Sequence, residues 1–444
     1  MSKTFRPYEP DQLLVLPPSL REWLPEGHLV HFVSELVESL DLSAIYAVYG
    51  EERGYPPYHP LLMTKLWVYA YARGVRSSRK VECATREDVA FRVLCAGNEP
   101  DFRTLAAFRK RHLDALGGLF VQVLQLCRKA GLAKLDHVAI DGTKVKANAS
   151  KHKAMSYGRM CDEETRLRAQ VEQMLAESDA VDAAEDAQYG PDRRGDELPD
   201  ELAHRQTRLK KIQEAKAALE EEARAKRERE GKGRDTPRAK AQRNFTDPES
   251  RIMVNNDKAF VQGYNGQLAV DADHQIIVAA EVVQASNDKE QLVPMVEAVA
   301  SNCEEVPGAV SADAGYWSEA NAERMEFYEI EAYVAPERIS HQEWREARVP
   351  EGPLPEGLTP KEKMRHKLRT NEGRAEYDKR KVTVEPVCGQ LKTVQGLRHF
   401  LLRGLAGVRG EWLLGCTSHN ILKLYRARGR MDGVVSPGAM LAGV

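Results

Sequence analysis

Two aspartates stand where carboxylates can do metal chemistry. Asp141 closes the apolar part of LDHVAIDGTKVKANAS, Asp313 closes that of GAVSADAGY, and a glycine follows each within two residues. Both segments have the apolar, β-branched content of strands. Acidic side chains leaving neighbouring strand ends converge, and the glycines let backbone or substrate approach closely. With a third acid, such a pair holds two Mg²⁺ ions roughly 3.5–4 Å apart, one to activate an attacking water or 3′-hydroxyl and one to stabilise the leaving oxygen of a phosphodiester. Magnesium keeps waters and phosphate oxygens in its octahedron, so three acids suffice. The same two positions also suit ordinary turn or cap aspartates.

Glu385 is the third candidate. It sits in a helical pattern, YDKRKVTVEPVCGQLKTVQG, with Tyr377 eight and Lys381 four residues before it and Lys392 seven after, all near one face. Such a stripe offers a metal ligand flanked by cations that bind phosphate. It also describes a solvated outer face braced by pairs four residues apart.

The elements that must position these acids follow from the rest of the pattern. Residues 1–128 read as helical, with HLVHFVSELVESL and HPLLMTKLWVYAYARGV apolar at helical spacing and Pro56, Pro57 and Pro60 before or at the start of the second. Thr104, or Asp101 just before it, is the expected cap of the helix in RTLAAFRKRHLDALGGLFVQVLQLCRKAG. After the Asp141 strand, a stretch rich in Glu, Arg, Ala and Lys predicts two helices forming a charged hairpin split by PDRRGDELPD, and GKGRDTPRAKAQRNFTDPES then reads as an extended return linker. FVQGYNGQLAVDADHQIIVAAEVV predicts two strands turning at Asp271–His274. KEQLVPMVEAVASN is a helix with Asp288 its candidate cap. The order of strands and helices predicts an α/β domain with a mixed sheet.

Composition narrows the class. The 444 residues carry a formal net charge of −2, so a nucleic-acid partner would be held by local basic patches rather than the overall field. Two groups offer themselves: Arg73, Arg76, Arg79 and Lys80, then Arg103, Arg109, Lys110 and Arg111, in an arrangement open to a helix-turn-helix reading or to ordinary surface charge. Seven scattered cysteines without a C-x-x-C pair argue against a disulfide framework or a zinc cluster and point to a reducing compartment. No apolar run of about 18 residues is present, and MSKTFRPYEPDQ lacks the apolar core of a secretory signal. His137, His366 and His419 have no partner at metal-ligand spacing. Trp317 either stacks on an extruded base or packs on the core.

Taken together, FRPYEPDQ, LPPSLREWLPEGH, AIDGTKVKANASKHKAM, RNFTDPESRIM, QGYNGQLAVD, SADAGYWSEAN, RKVTVEPVCGQLK, FLLRGLAGVRGEW and TSHNILKL resemble, in collinear order, the bacterial insertion-sequence DDE transposases that join an InsH-type N-terminal domain to a DDE catalytic domain. The resemblance makes Asp141, Asp313 and Glu385 the catalytic and metal-holding acids. It implies an RNase H-like catalytic domain over 129–430, interrupted by a helical insertion and linker over 155–250. An all-helical DNA-binding and dimerisation domain over 1–128 precedes it, and a tail over 431–444 follows. It further implies two Mg²⁺ ions, replaceable by Mn²⁺, and double-stranded DNA as partner, both terminal inverted repeats and target. A homodimer on DNA and a cytoplasmic, nucleoid-associated setting complete what it implies. Lys392, Tyr377, Arg380, Lys381 and Trp317, with Arg76, Arg79, Lys80, Arg109, Lys110 and Arg111, are the expected DNA contacts. Two departures stand out. The related Tyr-Arg-Glu-Lys signature would place Tyr at 378 and Arg at 381, where this chain has Asp378 and Lys381, so Tyr377 and Arg380 each fall one place early. Cys388 stands where the resemblance leads one to expect Phe. The alternative is a catalytically inactive, transposase-derived DNA-binding protein; a structural coiled coil explains only the charged hairpin.

Overall fold

The computed structural model describes residues 19–49, 57–150, 153–189, 200–231, 234–255, 258–338, 349–350 and 357–428. FRPYEPDQ, the first residues of LPPSLREWLPEGH, Pro56, nearly all of PDRRGDELPD and the tail over 431–444 lie outside them.

The chain opens with helices at Leu29–Glu38 (α1), Ser43–Tyr46 (α2), Pro60–Ala72 (α3), Ser78–Glu87 (α4), Val89–Cys95 (α5), Phe102–Arg111 (α6) and Leu113–Lys129 (α7). Pro60 takes the first position of α3, where its missing N–H leaves no gap in the helix ladder. α3 is buried on nearly every face from Leu66 to Ala72 and so runs through the core. Asp101 caps α6, its carboxylate accepting from the backbone N–H groups of Arg103 and Thr104, while Thr104 donates to the same carboxylate.

The rest alternates strand and helix. It runs β1 (His137–Lys146), β2 (Ala154–Ser156), α8 (Tyr157–Tyr189), α9 (Asp200–Glu230), β3 (Gln242–Asn244), β4 (Arg251–Val254), β5 (Phe260–Asp271) and β6 (Ile277–Val283). It continues with α10 (Leu292–Cys303), β7 (Ala309–Ala312), α11 (Glu319–Phe327), β8 (Glu331–Val334), α12 (Pro360–Arg369), α13 (Asn371–Thr393) and α14 (Leu405–Arg428). The main sheet has the order β4-β5-β1-β7-β8, with β6 also paired to β5. β1 lies antiparallel to β5 and parallel to β7, and β7 is parallel to β8. The mixed sheet expected from the sequence is therefore present. The turn expected at Asp271–His274 is closed by Asp271, whose carboxylate accepts from the N–H groups of Lys134, Leu135, Asp273 and His274.

Three readings need correction. The return segment after α9 is not an unstructured linker throughout, because β3 pairs antiparallel with β2. That small sheet and the Met160–Leu167–Ile212–Leu219 contacts give α8 and α9 a core of their own. Asp141 lies within β1 rather than at its end, since the strand continues to Lys146 to pair with Gly263 of β5. Asp288 does not cap α10; that position belongs to Gln291, and the Asp288 side chain points elsewhere.

The larger core is continuous from the first helices to the sheet. α14 joins them, packing against α3, α7 and β6. Asn420 grips the start of β6 with both ends of its amide, accepting from Ile277 N–H and donating to Ile277 C=O at 2.9 Å each. His419 meets the Gln275 carbonyl at 2.9 Å, and Lys423 donates to the Gln275 side chain at 2.7 Å. Arg76 is buried rather than offered to DNA. Its guanidinium donates to Glu411 of α14 at 2.6 Å and to the His399 and Gly396 carbonyls, while Glu411 also accepts from Leu401 and Leu402 N–H. Gly74 is required beside it, because its φ of +71° and the Val394 carbonyl, 2.4 Å from where a Cβ would sit, exclude a side chain.

Both arrangements give checkable consequences. Removing one partner of a buried ion pair strands the other, so Glu411→Ala should lower stability by about 3–5 kcal/mol in denaturant unfolding; a loss below ~1 kcal/mol would contradict the clamp. Burial pushes the His419 imidazole down to about 4. The unfolded chain then takes up a proton that the fold resists, so stability should fall as the pH drops from about 6.5 towards 4. His419→Gln should flatten that slope in melts across the range.

Candidate active site

The register of the parallel pair decides where the first two acids meet. Ile140 of β1 lies opposite Ala312 of β7, so Asp141 and Asp313, the next residues of each strand, emerge side by side. Asp313 ends its strand and caps a short 3₁₀ turn, Ala314–Tyr316, accepting from Gly315 N–H at 2.8 Å. Asp141 accepts from Gly142 N–H at 2.8 Å. Burial, followed by the neighbouring Asp313 charge, pushes the Asp141 carboxyl up to about 7, against the opposing pull of Arg380.

Helix α13 brings the third. Thr370 caps it by accepting from Gly373 N–H, and the helix then lies across β1, β7 and β8. His137 of β1 fixes its position: one ring nitrogen meets Glu376 at 2.9 Å, the other meets Ser311 of β7 at 2.8 Å, and the ring stacks on Tyr333. One turn further, Arg380 reaches into the site. Its guanidinium lies 3.2 Å from Glu385 and 4.0 Å from Asp141, and over the Tyr377 ring at 5.6 Å. Glu385 itself is 48% exposed. Pro386 follows it inside the helix and cannot donate to the Val382 carbonyl one turn back. Gln275 of the β5–β6 turn makes good that loss, donating to Val382 C=O at 2.8 Å.

The structure thus gathers Asp141, Asp313, Glu385, Tyr377 and Arg380, but not as a ready metal cage. Among the described residues, no group of three or more His, Cys, Asp and Glu side chains is placed to hold a metal ion. Arg380 supplies the positive charge between Asp141 and Glu385 instead. The carboxylate oxygens nevertheless suit a hard divalent cation, and the mutual repulsion of Asp141 and Asp313 favours one.

The remaining candidates divide by burial. Trp317 is half-buried and packs against the core, Lys392 is half-buried on α13, and Lys381 is exposed and paired with Asp378. Arg79, Lys80, Lys110 and Arg111 are exposed, with Arg79 lying over the Phe102 ring at 4.6 Å. Arg109, like Arg76, is interior: it stacks on Trp67 at 4.2 Å and donates to the Tyr71 hydroxyl and the Arg76 carbonyl. Neither can contact DNA without leaving the core. Net charge patterns cannot tell such arginines from surface ones. Cys388 lies on the same helix as Glu385, where burial pushes its thiol up.

One acid was missed. Asp288 reaches the site from the β6–α10 loop, accepting from Asn265 at 2.6 Å and Gln267 at 2.7 Å, with Lys144 at 3.3 Å. Only the two motif glycines hinted that something must approach Asp141 and Asp313 closely.

Comparison with known proteins finds two family models that match parts of the chain. Residues 18–111 match the family model described as Transposase domain (DUF772), and residues 355–425 match that of the Transposase DDE domain, which includes Glu385 but neither aspartate. No curated protein and no solved structure matches the chain. Two stretches of the chain thus resemble transposase domains, the second a DDE domain, and together they support a transposase function. No described helix is long and apolar enough to cross a membrane.

Like charges held together without a metal cost stability, as functional sites commonly do. Asp141→Asn keeps the shape and removes one charge. In the presence of EDTA it should raise the thermal midpoint by a few degrees, on the order of 1–2 kcal/mol. A midpoint that stays put or falls in calorimetry would show that the two acids do not oppose each other.

Proposed function

We propose that the protein cuts DNA at the terminal inverted repeats of its own mobile element and joins the freed 3′-hydroxyls to target DNA. The observation carrying this reading is the parallel register of β1 and β7, which sets Asp141 beside Asp313, with α13 presenting Glu385 to the same guanidinium. An RNase H-like catalytic domain over 129–430 is supported by three antiparallel strands (β6, β5, β1) continuing into two parallel ones (β7, β8). The pair α8–α9 would be its insertion, within 155–250, and residues 1–128 its DNA-binding and dimerising part, although the two share one core.

In this reading Asp141, Asp313 and Glu385 hold two Mg²⁺ or Mn²⁺ ions. Bound there, the ions lower the cost of forming the attacking oxyanion and of releasing the 3′-oxygen. The chain's own residues do the positioning. Arg380 exchanges its carboxylate partners for a backbone phosphate once cations neutralise the acids, and guanidinium geometry suits that exchange. Lys392 and Lys381 line the same helix and steer phosphate by charge, with Tyr377 and Trp317 beside them offering ring faces to a frayed base. Arg79, Lys80, Lys110 and Arg111 grip the duplex further out. Joining two ends requires two copies of the site, hence a homodimer on DNA, acting in the cytoplasm at the nucleoid.

Arg380 neutralising two of the acids also suits the second reading, an inactive transposase-derived DNA-binding protein. Cleavage separates them. With Mg²⁺ and a duplex carrying one element end, the protein should nick at the end, EDTA should stop it, and Asp313→Asn should abolish cutting while leaving gel-shift binding. Duplex that is bound but never cut, at any Mg²⁺ or Mn²⁺ concentration, would give the case to the second reading.

A further inference from the structure

Asp288 has a place in the structure that a helix cap does not explain. Its Oδ1 collects the amides of Asn265 and Gln267, both buried on β5, and the ammonium of Lys144 on β1. Gln267 in turn accepts from the Tyr316 hydroxyl at 2.5 Å, and Tyr316 is fully buried in the turn that follows Asp313. One carboxylate therefore connects the strand bearing Asp141, the strand between it and β6, and the turn bearing Asp313.

Gly142 leaves room for it. A Cβ on Gly142 would stand 2.5 Å from Asp288 Oδ1 and 2.6 Å from Gln267 Nε2. A Cβ on Gly315 would stand 2.9 Å from Asp313 Oδ1 and 3.8 Å from Asp288 Oδ2. Gly142 is thus the point where Asp288 approaches Asp141; at Gly315 the tight neighbour is Asp313 itself, while the second oxygen of Asp288 lies at ordinary contact distance and faces the same space as Asp313.

We infer that Asp288 is a positioning residue of this active site, setting the separation of Asp141 and Asp313 through Lys144, Gln267 and Tyr316, and that Gly142 exists to admit it. The inference rests on the reading that Asp141 and Asp313 hold divalent cations. Groups that orient metal-holding side chains typically change ion affinity or rate by about 10–100-fold when altered.

The test uses the full chain, Mn²⁺ as probe, and Asp313→Asn as reference. Asp288→Asn is isosteric and still accepts hydrogen bonds, but loses the charge that holds Lys144. It should melt near the parent temperature in EDTA, yet bind Mn²⁺ about tenfold more weakly in calorimetric titration and show a smaller Mn²⁺-induced rise in melting temperature. On end-containing DNA its kcat should fall about 10–100-fold with KM unchanged. Gly142→Ala, which pushes Asp288 away while keeping the N–H that holds Asp141, should reproduce the loss, and it serves as the readout if Asp288→Asn does not fold. Mn²⁺ affinity and kcat at parent levels in the folded variant, with both lost in Asp313→Asn, would overturn this inference alone. A parent chain that binds no Mn²⁺ would overturn it together with the metal reading.

Discussion

Two carboxylates on adjacent parallel strands, half out of water, repel each other, and that repulsion organises the rest of the site. The Ile140–Ala312 register sets Asp141 and Asp313 next to each other where β7 ends. The fold answers with cations and donors from elsewhere: Arg380 beside Asp141, backbone N–H groups under each aspartate, and Lys144 on the third acid, Asp288. Removing charges from water is costly unless partners are close, and here the partners come from three different elements. Each of those elements must therefore be held in place, and the conspicuous polar contacts of the molecule do that.

Helix α13 shows how. It carries Glu385 next to Pro386, and a proline inside a helix leaves the carbonyl one turn earlier unpaired. Gln275 takes that carbonyl, His419 and Lys423 hold Gln275, and Asn420 fixes the strand that follows. The far end of α13 leads into a loop that Arg76 and Glu411 tie to the first helices, while His399 pairs with Lys146 at the end of β1. A run of polar residues on α14 that looks like a binding motif is thus a scaffold for the helix that presents the third acid. Glu411, His419 and Asn420 face the interior.

This explains what could be read from the chain and what could not. Strand periodicity around Asp141 and Asp313 and the helical spacing around Glu385 are local properties, and each acid appears on the expected kind of element. The strand turn at Asp271–His274 was legible because an aspartate accepting from its own following N–H groups is a local device. Asp288 was not, because its role depends on Gln267 and Asn265 lying opposite Gly142 and Lys144 across β1 and β5, a long-range register invisible in its own neighbourhood. Arg76 and Arg109 misled for the same reason. An arginine's type announces charge, whereas only packing against Glu411 or Trp67 decides that it is spent inside the fold. The short pairing of β2 with β3 escaped notice because three-residue strands carry too little pattern to set against a polar, proline-bearing stretch.

The division of labour among the acids follows from the same constraint. Asp141 belongs to the sheet, and Asp313 follows the last residue of β7, held by the turn it caps. Asp288, held by Asn265 and Gln267 of β5, lies close against Gly142 beside that pair. Glu385 alone stands on a helix, half-exposed, beside a proline that interrupts the ladder, and joined to the pair through one guanidinium. The proposed uptake of cations and DNA would gain from two acids held at the sheet and the third on an element whose local ladder is already open. Arg380 fits that scheme as the charge that occupies the space between sheet and helix, since a planar guanidinium can give up a carboxylate for a phosphate of similar geometry with little loss of hydrogen bonding. The residue that neutralises the acids and the residue that meets the DNA backbone can then be one and the same.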